Sequence, residues 1–228
     1  ITVSGTASGS GSGGGTVYAT YEINVGPEFQ IPLVGWGAGA WSAGAWGFGA
    51  SDAIQLRLWS QQNFGEDLIF SPRGGGLYYW DATNGVTTRG IAVTTMYGAS
   101  DVPTLIDYVL VSDVSRFVFA FGCNDYGSSV LDPMLIRWSD QESVVEWTPS
   151  ATNQAGSIRL SHGSELITSI QTRQEIVVWS DSAVYSLQYL GPPTVWGTQL
   201  LGDNISIISP NAVSQASGVV YWMGIDKF

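Results

Sequence analysis

Three aspartates that could supply a pair of catalytic carboxylates recur in the same context, an apolar run followed by Ser-Asp. They are Asp113, Asp140 and Asp181. Two carboxyl groups flanking a glycosidic bond can hydrolyse it, so the pattern allows a glycan-cleaving enzyme. However, catalytic acids occupy positions with different environments, whereas these three are copies of one turn. We therefore expect them to cap turns, and we expect the chain not to be an enzyme.

Other reactive side chains are scarce. The chain has one histidine, His162, in a Ser-His-Gly sequence typical of a turn, and one cysteine, Cys123. A zinc or redox-metal site needs a cluster of such ligands, and a Ser-His-Asp triad would need this same histidine. Cys123 has no partner for an internal disulfide and is expected to be a small buried hydrophobe. We expect no metal, no cofactor and no small-molecule substrate.

The charge of the chain bears on its partners. It has 8 Lys and Arg against 19 Asp and Glu, a net charge of -11, and no basic stripe. Phosphate repulsion disfavours tight binding of nucleic acid. A surface along which DNA passes without binding would also be negatively charged.

The repeated unit that contains the aspartates predicts a β-hairpin, because its apolar runs are short and rich in Val, Ile, Phe, Tyr and Trp. Copies occupy residues 108–122, 135–147 and 176–189, with a related hairpin at 68–80 and a further copy opening at 219. The marker residues of the repeat are Ser71, Ser112, Asp113, Trp138, Ser139, Asp140, Trp179, Ser180, Asp181 and Trp222. Most intervals between them are in the low forties, about the length of a four-stranded propeller blade.

These observations predict an all-β fold, a β-propeller-like array of four-stranded antiparallel blades over residues 55–228. We expect a strand at 55–60, a hairpin at 67–80, and blades at 106–147, 165–189 and from 205 onward. The last blade is expected to be truncated. Two hairpins inside one blade would explain the shorter interval between Ser112 and Ser139.

The N-terminal part has a different composition. Residues 1–16 predict a Gly/Ser-rich linker or loop, and residues 17–54 a strand followed by an extended Gly/Ala/Trp-rich arm. Residues 29–50 carry no charge, but their glycines and Pro32 disfavour a membrane span. Trp36, Trp41 and Trp46 are candidate subunit-interface residues, since Trp gives large contact area at small entropic cost. A loop that covers a strand edge of its own domain is the equal alternative.

Several longer segments resemble a known family. They are LIRWSDQES (135–143), ATNQAGSIRLSHGS (151–164), QTRQEIVVWSDSAVYSLQYLGPP (171–193), LLGDNISIISPNAV (200–213), GWGAGAW (35–41) and NFGEDLIFSPRGGGLYYWD (63–81). In these segments the chain resembles the virion structural proteins of short-tailed bacteriophages, above all the tail nozzle or tail tubular protein B family. The resemblance spans nearly the whole chain apart from the Gly/Ser tract.

The resemblance implies a non-enzymatic ring subunit of the virion tail, with a hexamer as the expected assembly. Such a ring continues the DNA-ejection conduit below the portal and adaptor, carries fibre or needle proteins, and lets DNA pass without specific binding. Nozzle proteins are longer, so we expect this chain to be a fragment. The alternative is a carbohydrate-binding or glycan-cleaving propeller of a tail fibre or spike, because exposed Trp and Tyr could stack on sugar rings.

Overall fold

The computed structural model describes residues 58–225, which lie in one compact unit, Leu58–Phe228. In this part of the chain every long element is a β-strand, and two short 3-10 helices are the only helical segments. The predicted all-β class is therefore confirmed. Among these residues no helix has the length and apolar character needed to cross a membrane. The predicted linker, arm and interface tryptophans Trp36, Trp41 and Trp46 lie outside the described residues.

The strands form four successive antiparallel sheets, numbered here in chain order. Sheet 1 contains β1 (Trp59–Phe64), β2 (Asp67–Pro72), β3 (Tyr78–Trp80) and β4 (Ile91–Ala92). Sheet 2 contains β5 (Ile106–Val111), β6 (Val118–Asn124), β7 (Leu131–Trp138) and β8 (Gly156–Arg159). Sheet 3 contains β9 (Leu166–Gln171), β10 (Glu175–Ser180), β11 (Ala183–Gly191) and β12 (Val195–Asp203). Sheet 4 contains β13 (Val213–Ala216) and β14 (Val219–Trp222).

Each sheet is a simple meander, in which every strand pairs with the next one along the chain. The 3-10 helices, Ala82–Asn84 and Val93–Thr95, flank β4. The predicted starts of sheets 2 and 3 agree with the structure to within one residue. Both predicted blades end too early, because the fourth strands β8 and β12 were missed. The β8 strand is short, begins at a glycine and alternates between half-buried and exposed residues, so its apolar signal is weak.

Of the predicted strand at 55–60, residues 55–57 lie outside the described residues, and the described strand continues beyond residue 60. Strand β1 runs over Trp59–Phe64, and the turn that follows is at Gly65 and Glu66, whereas the sequence predicts a turn at Asn63, Phe64 and Gly65. Asn63 favours that interpretation, since Asn is depleted in strands. Tertiary contacts override this preference, because β1 pairs with β2 along its whole length.

Sheet 2 is buried on both faces. All seven residues of β6 are buried, and their side chains alternate between two hydrophobic clusters. Val118 and Ala120 pack with residues of sheet 1, whereas Phe119 and Phe121 pack with residues of sheet 3. A strand that is buried on both faces of its sheet has a continuous run of apolar residues rather than an alternating pattern.

Sheet 3 repeats this arrangement. Ile176 and Val178 of β10 face sheet 2, and the intervening Val177 and Trp179 face sheet 4. The Trp179 ring lies 5.8 Å from the ring of Trp222 in β14. The four sheets therefore pack face to face in chain order, and each hydrophobic cluster joins two successive sheets.

The first strands of successive sheets also contact each other: β1 contacts β5, β5 contacts β9, and β9 contacts β13. Strand β5 is an edge strand, so its outward N–H groups need partners from outside sheet 2. The Val109 N–H donates to Ser60 Oγ at 2.9 Å, and the Val111 N–H donates to Gln62 Oε1 at 3.3 Å. Side chains of β1 thus satisfy the backbone of the next sheet.

We predict that Phe119→Ala lowers the free energy of unfolding by about 3–5 kcal/mol, because it removes a fully buried ring between sheets 2 and 3. Its ring makes an edge contact with Trp196 at 4.9 Å. Urea denaturation of the full chain measures the effect. Tyr97→Ala, at a fully exposed aromatic residue, is the control and should change stability by less than about 0.5 kcal/mol. Equal effects would contradict the packing described.

Candidate functional site

The four serines of the repeat are buried strand-end residues. Ser71, Ser112, Ser139 and Ser180 are at most 2 % exposed. Ser71 Oγ donates to the Gly76 carbonyl at 3.1 Å, and Ser112 Oγ lies 2.7 Å from Ser115 Oγ. These two hydroxyls thus close the turns that follow their strands, a role that suits a small hydroxylated residue.

Ser139 and Ser180 make the most extensive of these contacts. Ser139 Oγ accepts a hydrogen bond from the Val118 N–H at 3.1 Å, while its backbone N–H donates to the Val118 carbonyl. Ser180 Oγ accepts from the Ala183 N–H at 2.9 Å and donates to the His162 carbonyl at 3.0 Å. Because these backbone groups lie inside the protein, an unpaired one would be costly.

The three aspartates of the repeat lie in turns after strands, and the carboxylates of Asp140 and Asp181 accept hydrogen bonds from neighbouring loop residues. Asp140 Oδ1 accepts from the Gln154 N–H at 2.7 Å, and Asp181 accepts from the N–H and the hydroxyl of Ser164. Slight burial opposes ionisation of Asp181, but these Ser164 bonds outweigh it and lower its pKa. Asp113 is exposed and lies in the β5–β6 turn, where its N–H donates to Gln171 Oε1.

The tryptophans of the repeat lie in the hydrophobic clusters. Trp138 is nearly buried and donates from Nε1 to the Gln154 carbonyl at 2.8 Å. Trp179 is fully buried and packs on Trp222. The repeat residues are therefore spread along the strand ends and sheet interfaces, and the structure does not gather them into one site within residues 58–225.

We predict that Ser180→Ala lowers the free energy of unfolding by about 1–3 kcal/mol, because it leaves the buried Ala183 N–H without its partner. Guanidinium denaturation is the measurement. Ser214→Ala is the matched control, since Ser214 is exposed in β13 and its hydroxyl has no hydrogen-bond partner among the described residues. A loss no larger than that of the control would show that the hydroxyl is dispensable.

The first strands line a half-open cavity of about 390 Å³. Its lining comes from β1, β5 and β9 and from residues at the start of sheet 4, and it combines apolar, aromatic and polar side chains. The polar and aromatic side chains of the lining include Trp59, Gln61, Arg73, Asp107, Tyr108 and Asn211. This cavity is the candidate site, because it brings together residues that are far apart in the sequence.

Backbone hydrogen bonds place Arg73 and Asp107 at this cavity. Arg73 lies in the β2–β3 loop, and its N–H donates to the Leu58 carbonyl at 2.8 Å. The next residues of this loop pair with the start of β5, through Gly74 N–H to the Ile106 carbonyl and Ile106 N–H to the Gly75 carbonyl. The loop therefore joins sheet 1 to sheet 2 and brings the guanidinium towards Asp107.

The Asp107 carboxyl is electrostatically unusual. Partial burial raises its pKa to about 6, with Arg73 opposing the shift and Glu165 adding to it. No side chain of the described region forms a hydrogen bond or a close ion pair with this carboxylate. Gly122 of β6 lies against it with φ +56, and a Cβ there would collide with the Asp107 carboxylate. Only glycine suits this position, for reasons of both backbone conformation and space.

Two hydroxyls beside the cavity are also without conventional partners. Tyr108 Oη and Ser169 Oγ are buried, and neither has a hydrogen bond of normal geometry to a described residue. Burial raises the pKa of Tyr108, while the neighbouring Ser169 hydroxyl acts in the opposite direction. The Tyr108 ring itself stacks on Phe121, with ring centroids 4.6 Å apart.

Neither charged residue of the cavity was predicted from the sequence. Arg73 lies in the sequence Pro-Arg-Gly-Gly-Gly, which reads only as a turn. Asp107 offered a usable signal, because it is a single charge inside the apolar run of β5. Neither Cys123 nor His162 lines the cavity. Cys123 is buried as expected, which raises the pKa of its thiol to about 12, and His162 lies in the exposed loop between β8 and β9.

A third charged residue that was not predicted, Arg137 of β7, has a structural role. Its side chain is fully buried, donates to the carbonyls of Asn124 and Asp101, and lies 3.4 Å from the Asp101 carboxylate. The guanidinium also stacks over the Tyr126 ring at 4.0 Å. Such pairing is required for a buried charge.

Within the described residues, no group of three or more His, Cys, Asp or Glu side chains could hold a metal ion.

Comparison with known proteins does not assign a family. No protein-family model matches the chain, and no curated protein matches it.

We predict a pH-dependent effect of Asp107→Asn. Because the folded-state pKa is raised, the stability that Asp107 contributes is present below 3.8 and is lost as the pH rises through about 6. Relative to the native chain, the variant should therefore gain about 1 kcal/mol between pH 4 and pH 7, a value reduced by partial solvent screening. Urea midpoints across this range test it.

The control for this experiment is Asp113→Asn, which removes the same charge from an exposed turn outside the cavity. A difference between Asp107→Asn and the native chain that stays constant with pH would contradict the cause assigned to the shift.

Proposed function

We propose that this chain is a structural subunit of a bacteriophage tail, part of a nozzle or tail-tube ring that continues the DNA-ejection conduit and binds other tail proteins. Its described domain is a β-propeller-like array whose sheets are the blades. The domain supplies a rigid body with faces for neighbouring subunits, and it performs no chemistry on the DNA that passes.

The observation that carries the propeller proposal is the contact between the first strands. In a propeller the first strand of each blade lies nearest the common axis, and successive blades pack face to face. Here β1, β5, β9 and β13 are neighbours in that order, and the hydrophobic clusters join sheets 1 to 2, 2 to 3 and 3 to 4. A radial arrangement accounts for both facts.

The scaffolding role is supported by how the repeat residues are used. Their side chains form structural hydrogen bonds: Ser180 closes a turn with Ala183, and Asp181 joins its turn to the loop that contains Ser164. The net charge of -11 favours a surface that repels phosphate. The assignment to a phage tail rests on the resemblance of the segments quoted above to the nozzle family.

The face of sheet 4 that points away from sheet 3 is a candidate surface for binding other proteins. Val220 and Trp222 of β14 pack towards sheet 3, so the alternate residues point away from it. These residues, Val219 and Tyr221, are 50 % and 60 % exposed. Clustered apolar groups on a sheet face are typical of interaction surfaces.

Electron microscopy of tagged virions tests this proposal. A short epitope inserted after Gly85 would be accessible, because the next residue, Val86, is 91 % exposed in a loop. We expect gold-labelled antibody at the tail, below the portal and adaptor, in tagged particles and none in untagged ones. Label on the capsid, or no label on tagged particles that contain the protein by immunoblot of denatured virions, would contradict the proposal.

A further inference from the structure

The cavity between the first strands contains several polar groups that the protein itself does not satisfy. Within the described residues, the side chains of Gln61, Arg73, Asp107 and Asn211 form no hydrogen bonds. Gln62 uses only its carbonyl oxygen, towards Val111, and leaves its amide N–H group free. Gln61, Gln62 and Asn211 are exposed, whereas Arg73 and Asp107 are half-buried. Half-buried charged groups normally have partners, so Arg73 and Asp107 are expected to face a polar occupant.

These groups offer donors and acceptors together. Arg73 supplies N–H donors, Asp107 supplies a carboxylate acceptor, and the Gln61 and Asn211 amides supply both. The formal charges of Arg73 and Asp107 cancel in the lining of the cavity. A matching ligand therefore has many hydroxyl groups, which both donate and accept, and has no net charge.

An aromatic ring at the same cavity further restricts the class of ligand that would fit. Trp59 lines the cavity and is 41 % exposed, so part of its ring is open to a ligand. Its other contact is with Phe70, at a ring-centroid distance of 6.2 Å. A partly exposed aromatic ring suits the C–H face of a sugar, which is apolar although its edges are polar.

We propose that this cavity is a binding site for a neutral sugar, with Trp59 stacking on the ring face, Asp107 accepting from hydroxyl groups, and Arg73, Gln61 and Asn211 completing the hydrogen bonds. A volume of about 390 Å³ lies within the range of ordinary ligand pockets and fits one or two pyranose rings. This proposal is independent of the tail assignment. A ring subunit need not bind sugars, and a sugar-binding domain need not belong to a tail.

Saturation-transfer NMR on the full chain tests the proposal. The probes are glucose, galactose, mannose, rhamnose and N-acetylglucosamine, with sialic acid as an anionic comparison, and the best probe is then titrated by calorimetry. We expect transfer to at least one neutral sugar and weaker transfer to sialic acid. No transfer to any neutral sugar, or preferred binding of sialic acid, would overturn the proposal.

Variants then locate the binding. Trp59→Ala and Arg73→Ala should each weaken the affinity of the best neutral sugar at least tenfold. Arg173→Ala, in the exposed β9–β10 loop outside the cavity, should leave it unchanged. Far-ultraviolet dichroism checks that each variant is folded, and Gln61→Ala replaces either one that is not. Equal affinities in the cavity variants and Arg173→Ala would place the binding elsewhere and refute the site.

Discussion

The free edge of strand β5 is the constraint on which much of this structure depends. A strand at the edge of a sheet presents N–H groups that need partners, and an unpaired edge invites association with other chains. Here Ser60 and Gln62 accept from Val109 and Val111, so the edge is covered by side chains of the preceding sheet. The same loop that carries Arg73 adds backbone hydrogen bonds to Ile106. Satisfying one strand therefore fixes how sheets 1 and 2 meet.

The same junction explains why both polar and apolar side chains line the space between the first strands. Side chains that reach across to a neighbouring backbone must be polar, so apolar packing cannot fill the junction as it fills the space between sheet faces. The facing surfaces of sheets 2 and 3 are packed with rings such as Phe119 and Trp196, whose centroids lie 4.9 Å apart. The junction of the first strands instead retains a cavity with Asp107 and Arg73 beside aromatic groups.

The sequence predicts the strands with strong apolar runs and misses those that depend on partners. The runs around Phe119 and Val178 are apolar on both faces and were assigned correctly. Strand β1 was predicted to end at residue 60, because Gln61 and Gln62 give no apolar signal and their place in the strand depends on pairing with β2. The cavity could not be predicted as a site, because Arg73 and Asp107 meet only through the hydrogen bonds of residues 73–76 with β5. The serines of the repeat were recognised, but their burial depends on turn geometry that the sequence does not show.

Each hydrophobic cluster links one sheet only to the sheet before or after it, and this arrangement affects how the domain can lose its structure. Interactions limited to nearest neighbours give a repeat array whose cooperativity is set by its interfaces rather than by one central core. The interface between sheets 2 and 3, with the largest set of fully buried aromatic rings, would then be the last to separate. Sheet 4 has two strands and joins the others through a small cluster around Trp179. It is the sheet from which fraying would begin within the described region.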